Sequence, residues 1–123
     1  MDQSDKSLAP GQYAGYSLQT TRCLARLLEA PPGSLVSVEV LGDVGVLAPD
    51  GQVLVEEDKS SIESNPVSDR AVGLWKTFSN WVDAARGGHL VPCSTQFEIF
   101  VPKVCTGSIV TQFSKLQGKL ALV

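Results

Sequence analysis

Asp43, Glu57 and Lys59 are the residues of this chain whose types and spacing suit catalysis, in the pattern D-x13-E-x-K. Two carboxylates within reach of each other make a hard-oxygen site for Mg2+ or Mn2+. An ion held there polarises a phosphoryl oxygen and helps to activate water. An adjacent Lys can hold the attacking water or offset charge that builds on a pentavalent phosphorus. The pattern therefore points to phosphodiester hydrolysis. The same three residues also suit a solvated hairpin rim, where charged side chains are common.

Whether the three meet depends on one turn. Val44-Gly45-Val46-Leu47 and Val53-Leu54-Val55 are β-rich runs, and Pro49-Asp50-Gly51 between them supplies turn residues. In a three-residue loop Pro49 and Asp50 take type I positions and Gly51 takes positive φ, so Ala48 faces Gln52 and, counting back, Asp43 faces Glu57. Lys59 follows on the same face. A two-residue loop would slip the register by one and send Glu57 and Lys59 to the face opposite Asp43.

The elements that must carry this hairpin follow from periodicity. Residues 18–29 read as a helix in which Leu24, Leu27 and Leu28 recur at helical spacing, ended by Pro31-Pro32-Gly33. A strand at 35–41 precedes the hairpin. A second helix is expected over 68–86, with Val72, Trp75, Phe78 and Val82 as its core stripe and Gly87-Gly88 as its stop. A strand at 96–101 and a helix at 107–118 complete the order α-β-β-β-α-β-α. Trp75 reads as core; Trp81 reads as partly exposed or as a surface on which a base could stack. Lys76 and Asn80, one turn apart, read as a solvated helix face or as phosphate contacts.

This order and its motifs resemble the restriction-endonuclease-like, PD-(D/E)xK fold, an αβββαβ core with a mixed central sheet flanked by helices. More narrowly, the chain resembles the double-stranded DNA endonuclease domain of bacterial anti-phage effectors of the CBASS type, associated with cyclic-oligonucleotide signalling. The matching residues are Gly15-Tyr16-Ser17-Leu18-Gln19, Val38-Glu39-Val40 leading to Gly42-Asp43-Val44, Val55-Glu56-Glu57-Asp58-Lys59-Ser60, and Leu74-Trp75-Lys76-Thr77-Phe78-Ser79-Asn80-Trp81. In that family a Gln often stands at the position of Glu57 and a Tyr at that of Leu18. Glu57 gives the fuller metal-binding form, whereas Leu18 removes a polar group.

The resemblance implies Asp43 and Glu57 as metal ligands and Lys59 as the catalytic lysine of a Mg2+-dependent DNA endonuclease. Gln19 matches a helix-borne Gln that orients a water or phosphate; by residue chemistry alone it is an ordinary exposed Gln. Glu39, in an otherwise apolar strand, is a second candidate helper that needs a partner if buried; the alternative is an edge Glu facing water. Double-stranded DNA is the implied partner, and the alternative function is a non-catalytic nuclease-fold module that binds nucleic acid or another protein.

The chain has 123 residues, 43% of them hydrophobic, which suits one core. Residues 13–118 are expected to form the endonuclease-like domain, 1–12 a flexible lead and 119–123 a truncated tail. A homo-oligomer or a covalently linked sensor domain would complete the protein. Net charge is −3 with pI near 5.0, adverse for gripping a polyanion. The cations, among them Arg22, Arg26, Lys76, Lys103, Lys115 and Lys119, are scattered. Cys23, Cys93 and Cys105 lack metal or disulfide spacing, and no apolar run spans a bilayer, so a cytoplasmic location is expected. His89 reads as a solvent-facing loop residue, with a thiol-hydrolase pairing to Cys93 as the weaker alternative. No Walker loop or GxGxxG occurs.

Overall fold

The computed structural model describes the backbone of residues 4–62 and 64–120, and side chains within 16–116. Its elements are α1 (Ser4–Glu29), β1 (Leu35–Val38), β2 (Val44–Leu47), β3 (Val53–Asp58), α2 (Val72–Arg86), a 3-10 turn at Pro92–Ser94, β4 (Thr95–Phe100) and α3 (Ser108–Leu120). The chain is thus α/β, in the order read from the sequence. One mixed sheet runs β1-β2-β3-β4, with β1-β2 and β2-β3 antiparallel and β3-β4 parallel. The parallel step needs a crossover, and α2 supplies it.

The β2-β3 turn is the three-residue one. The N–H of Gly51 donates to Ala48 O at 3.0 Å, the N–H of Ala48 to Gln52 O at 2.9 Å, and Asp50 Oδ1 accepts the N–H of Gln52 at 3.0 Å. Gly51 has φ +88°, open to glycine at little cost. Leu47 pairs with Val53 and Val44 with Glu56, so the next step along the hairpin sets Asp43 beside Glu57.

Val44, Val46, Val55, Val67, Leu74 and Leu90 form the buried apolar core. On one face of the sheet α1 packs over β1, β2 and β3. On the other, Trp81 of α2 lies against Phe97 of β4, and Phe78 lies against Phe113 of α3.

Several boundaries and faces depart from the sequence reading. Helix α1 starts at Ser4, well ahead of residue 18, and takes in most of the stretch expected to be a flexible lead. Its Leu24, Leu27 and Leu28, which recur at helical spacing, are 58%, 56% and 80% exposed, because Arg22 and Arg26 take the sheet-facing side to reach buried Glu56. Helix α2 starts at Val72, since Asp69 is engaged elsewhere: its carboxylate caps α3 by accepting the N–H of Ile109 at 3.0 Å and the hydroxyl of Ser108. The buried residues of α2 are Leu74 and Thr77, one position from the expected stripe. Val72 is 82% exposed and Trp75 46%, so Trp75 is no core residue; its indole N–H donates to Asp69 O at 2.7 Å. Of the tail expected over 119–123, the first two residues end α3 and 121–123 lie outside the described residues, as do Met1, Asp2 and Gln3 of the lead.

Candidate active site at the mouth of the hairpin

Glu57 and Lys59 lie on alternate positions of one extended segment, and Asp43 stands just before β2 beside it. All three side chains are half-buried. Glu57 is pushed up to about 7, first by burial and next by the adjoining Asp43 carboxylate, against the pull of Lys59. A divalent cation between the two carboxylates would relieve the repulsion that raises Glu57. Gly42 lets them meet: it holds φ +68°, and a Cβ there would lie 2.9 Å from Val55 Cγ1 and 3.1 Å from Glu57 Oε1.

Asp43 is fixed from two sides. Gln19 Nε2 of α1 donates to its Oδ1 at 3.2 Å, and the backbone N–H of Asp58 donates to its Oδ2 at 2.8 Å. Gln19 is thus brought to the site, in contact with Asp43. Lys59 donates its Nζ to Gly73 O at 3.2 Å, at the start of α2, while its own N–H donates to Phe100 O at 2.9 Å. Among the described residues every ion pair involves Arg22 or Arg26, so Lys59 acts on Glu57 through space and not by direct pairing.

Glu39 takes the water-facing alternative and not the buried one. β1 ends at Val38, and Glu39 sits beyond it, exposed, with φ +58° in the left-handed region. Its N–H donates to Asp43 O at 3.1 Å, which closes the β1-β2 loop, and among the described residues its carboxylate has no hydrogen-bond partner. Its charge still contributes to the raised pKa of Glu57.

Behind the site lies an ionic cluster that the sequence reading missed. Glu56, fully buried, receives Arg22 at 2.8 Å and Arg26 at 2.7 Å, and Arg26 also pairs with Glu98. The Arg22 guanidinium stands 3.9 Å from the Phe100 ring centroid. Burial pushes Glu56 up, but Arg22, Asp58 and Arg26 together hold it at about 2. Asp58 goes the other way, to about 8, through burial and then the adjoining Glu56 carboxyl, with which it shares a proton-bearing contact. A signal for this cluster was present: Glu56 and Asp58 alternate with Glu57 and Lys59, so they face α1, where Arg22 and Arg26 stand one turn apart. Those two arginines are therefore spent on Glu56 and do not extend the cationic surface.

Among the described residues no group of three or more His, Cys, Asp or Glu side chains is arranged to hold a metal ion. A two-carboxylate pair still fits Mg2+, which keeps several waters and is held by one or two carboxylates plus substrate phosphate. His89 and Cys93 are both exposed, and the described cysteines are free. No described helix is long and apolar enough to cross a membrane. Compared with known proteins, the chain matches no family model, no curated protein and no solved structure.

Proposed function

We propose that this chain is a metal-dependent DNA endonuclease domain of the restriction-endonuclease-like, PD-(D/E)xK kind, with Asp43, Glu57 and Lys59 at its centre. The observation that carries the reading is the meeting of the Asp43 and Glu57 carboxylates beside Lys59. The element order α-β-β-β-α-β with a β3-β4 parallel step supports it.

In this reading Asp43 and Glu57 hold Mg2+ or Mn2+. A bound ion supplies Lewis-acid polarisation of a phosphoryl oxygen and lowers the pKa of a coordinated water. Gln19 and the Asp58 N–H hold Asp43 in one orientation, so its oxygens need no reorganisation on binding. Lys59 leaves the Gly73 carbonyl to meet the charge that develops on phosphorus. The role in anti-phage defence belongs to the same proposal. So does dependence on a second copy or a linked sensor domain, since a net charge of −3 leaves DNA affinity weak.

The test is nicking of supercoiled plasmid, with an RNA substrate in parallel. Cleavage with Mg2+ or Mn2+, abolished by chelator and by Asp43→Asn and Lys59→Ala, is expected. Loss of Lys59 without loss of cutting would remove the assignment. A folded chain with no cleavage and no Mg2+-dependent thermal shift would favour the non-catalytic module.

A further inference from the structure

A cleft of about 180 Å3 opens directly onto Glu57 from the α2 side of the sheet. Its apolar walls include Leu41, Leu90 and Trp81, and its polar groups are Glu57, Asn80 and His89. Trp81 is anchored from behind, with Phe97 at 4.9 Å and Phe78 at 5.9 Å between ring centroids. Its indole Nε1–H is buried and has no acceptor.

We infer that this cleft binds a single nucleobase. A cavity on the order of 150 Å3 accommodates a benzene ring, so the space here admits a base. The lining is what a base needs: apolar and indole surface for its faces and an amide for its edge. Asn80 offers a donor and an acceptor side by side, and Glu57 accepts an exocyclic amine. Neither net charge nor a phosphate-gripping cation is called for, which fits a cleft without Lys or Arg among its lining residues. Asn80 thereby serves a base and not a phosphate.

The inference leans on the proposed nuclease activity for one point only, the source of the base: a nucleotide next to the scissile phosphate, turned out of the stack into the cleft. A free nucleotide would use the same contacts, so the two sources need separate experiments.

The full chain carrying Trp75→Phe leaves Trp81 as its single tryptophan. Titration with CMP, TMP or AMP in metal-free buffer should change its fluorescence saturably, and ribose 5-phosphate should do nothing. Asn80→Ala, at an exposed position, and Ala84→Leu, which fills the cleft, should each weaken binding about ten-fold or more. A duplex bearing the fluorescent base pyrrolocytosine should brighten on binding to the unfilled cleft and not to Ala84→Leu. No response to CMP, TMP or AMP, or an equal response to ribose 5-phosphate, overturns the site as assigned. CMP binding without brightening of the duplex overturns the strand as the source and retains the base site. Base binding in a protein that cuts nothing overturns the nuclease reading alone.

Discussion

The Oδ2 atom of Asp43 accepts the backbone N–H of Asp58 at 2.8 Å, so a side chain at the start of β2 takes the place of a strand partner at the end of β3. Asp43 therefore carries structure as well as charge. Asp43→Ala should destabilise the protein by about 1–3 kcal/mol, because the Asp58 N–H and the Gln19 amide lose their acceptor. Asp43→Asn keeps an acceptor at the same place and should stay within about 1 kcal/mol of the wild type while losing divalent-ion binding. Urea unfolding of both variants, beside Mg2+ titrations by thermal shift, separates the two roles. Equal stability of the Ala and Asn variants would contradict the structural one.

Glu57, raised to about 7, and Asp58, raised to about 8, bind protons more tightly in the folded chain than in the unfolded one. Stability from such groups is complete below the unfolded values and is lost as pH rises through the folded ones. Glu56, lowered to about 2, works oppositely, and its share is lost as pH falls from about 4.5 towards 2. Without metal the melting temperature should therefore be highest near pH 4–5 and decline towards pH 8. Divalent-ion binding needs Glu57 ionised, so the Mg2+-induced shift should grow as pH passes about 7. A melting temperature that climbs steadily from pH 5 to 8 without metal would contradict the raised carboxyls.

How much was legible follows from which interactions are local. The hairpin was readable because Pro49-Asp50-Gly51 fixes its own register, and that register brings Glu57 and Lys59 to the face of Asp43. The orientation of α1 was not, because Leu24, Leu27 and Leu28 satisfy helical spacing on either side of the helix. The choice was made by Glu56, far away in sequence, whose buried charge demands Arg22 and Arg26. Hydrophobic periodicity finds a stripe; it does not say that the stripe faces the sheet. The end of β1 was misread for a similar reason. The apolar run from Val36 to Leu41 reads as one strand, but the chain turns through a left-handed residue there to return along β2.

Glu56 is the least replaceable acidic residue of the fold. Its carboxylate is fully buried between two guanidinium groups, and truncation leaves Arg22 without an ion-pair partner among the described residues and Arg26 with Glu98 and Glu29 alone. Glu56→Ala should cost about 3–5 kcal/mol, enough to unfold a small domain at physiological temperature. Replacing the cluster together, as Arg22→Leu, Arg26→Met and Glu56→Met, should recover most of that loss, because the one ion-pair partner left over within the sheet, Glu98, is 32% exposed and can be solvated. Chemical denaturation of the single and triple variants tests the pairing, and a triple variant no more stable than Glu56→Ala would contradict it.

On α2, Leu74 and Trp75 are neighbours with opposite surroundings. Leu74 is fully buried, while Trp75 is 46% exposed and packs edge-on against Phe78, with ring centroids 5.7 Å apart. A residue's truncation cost follows the contacts it loses and the cavity it leaves, not its size. Leu74→Ala should therefore destabilise by about 2–5 kcal/mol. Trp75→Ala loses half-solvated packing and the hydrogen bond to Asp69 O, leaves no enclosed void, and should cost about 1–2 kcal/mol. Trp75→Phe should cost less again, since the ring stacking is kept. Denaturation midpoints measured at equal m-values rank the three. A ranking with Trp75→Ala as the most damaging would mean that the tryptophan, and not the leucine beside it, seats α2 on the sheet.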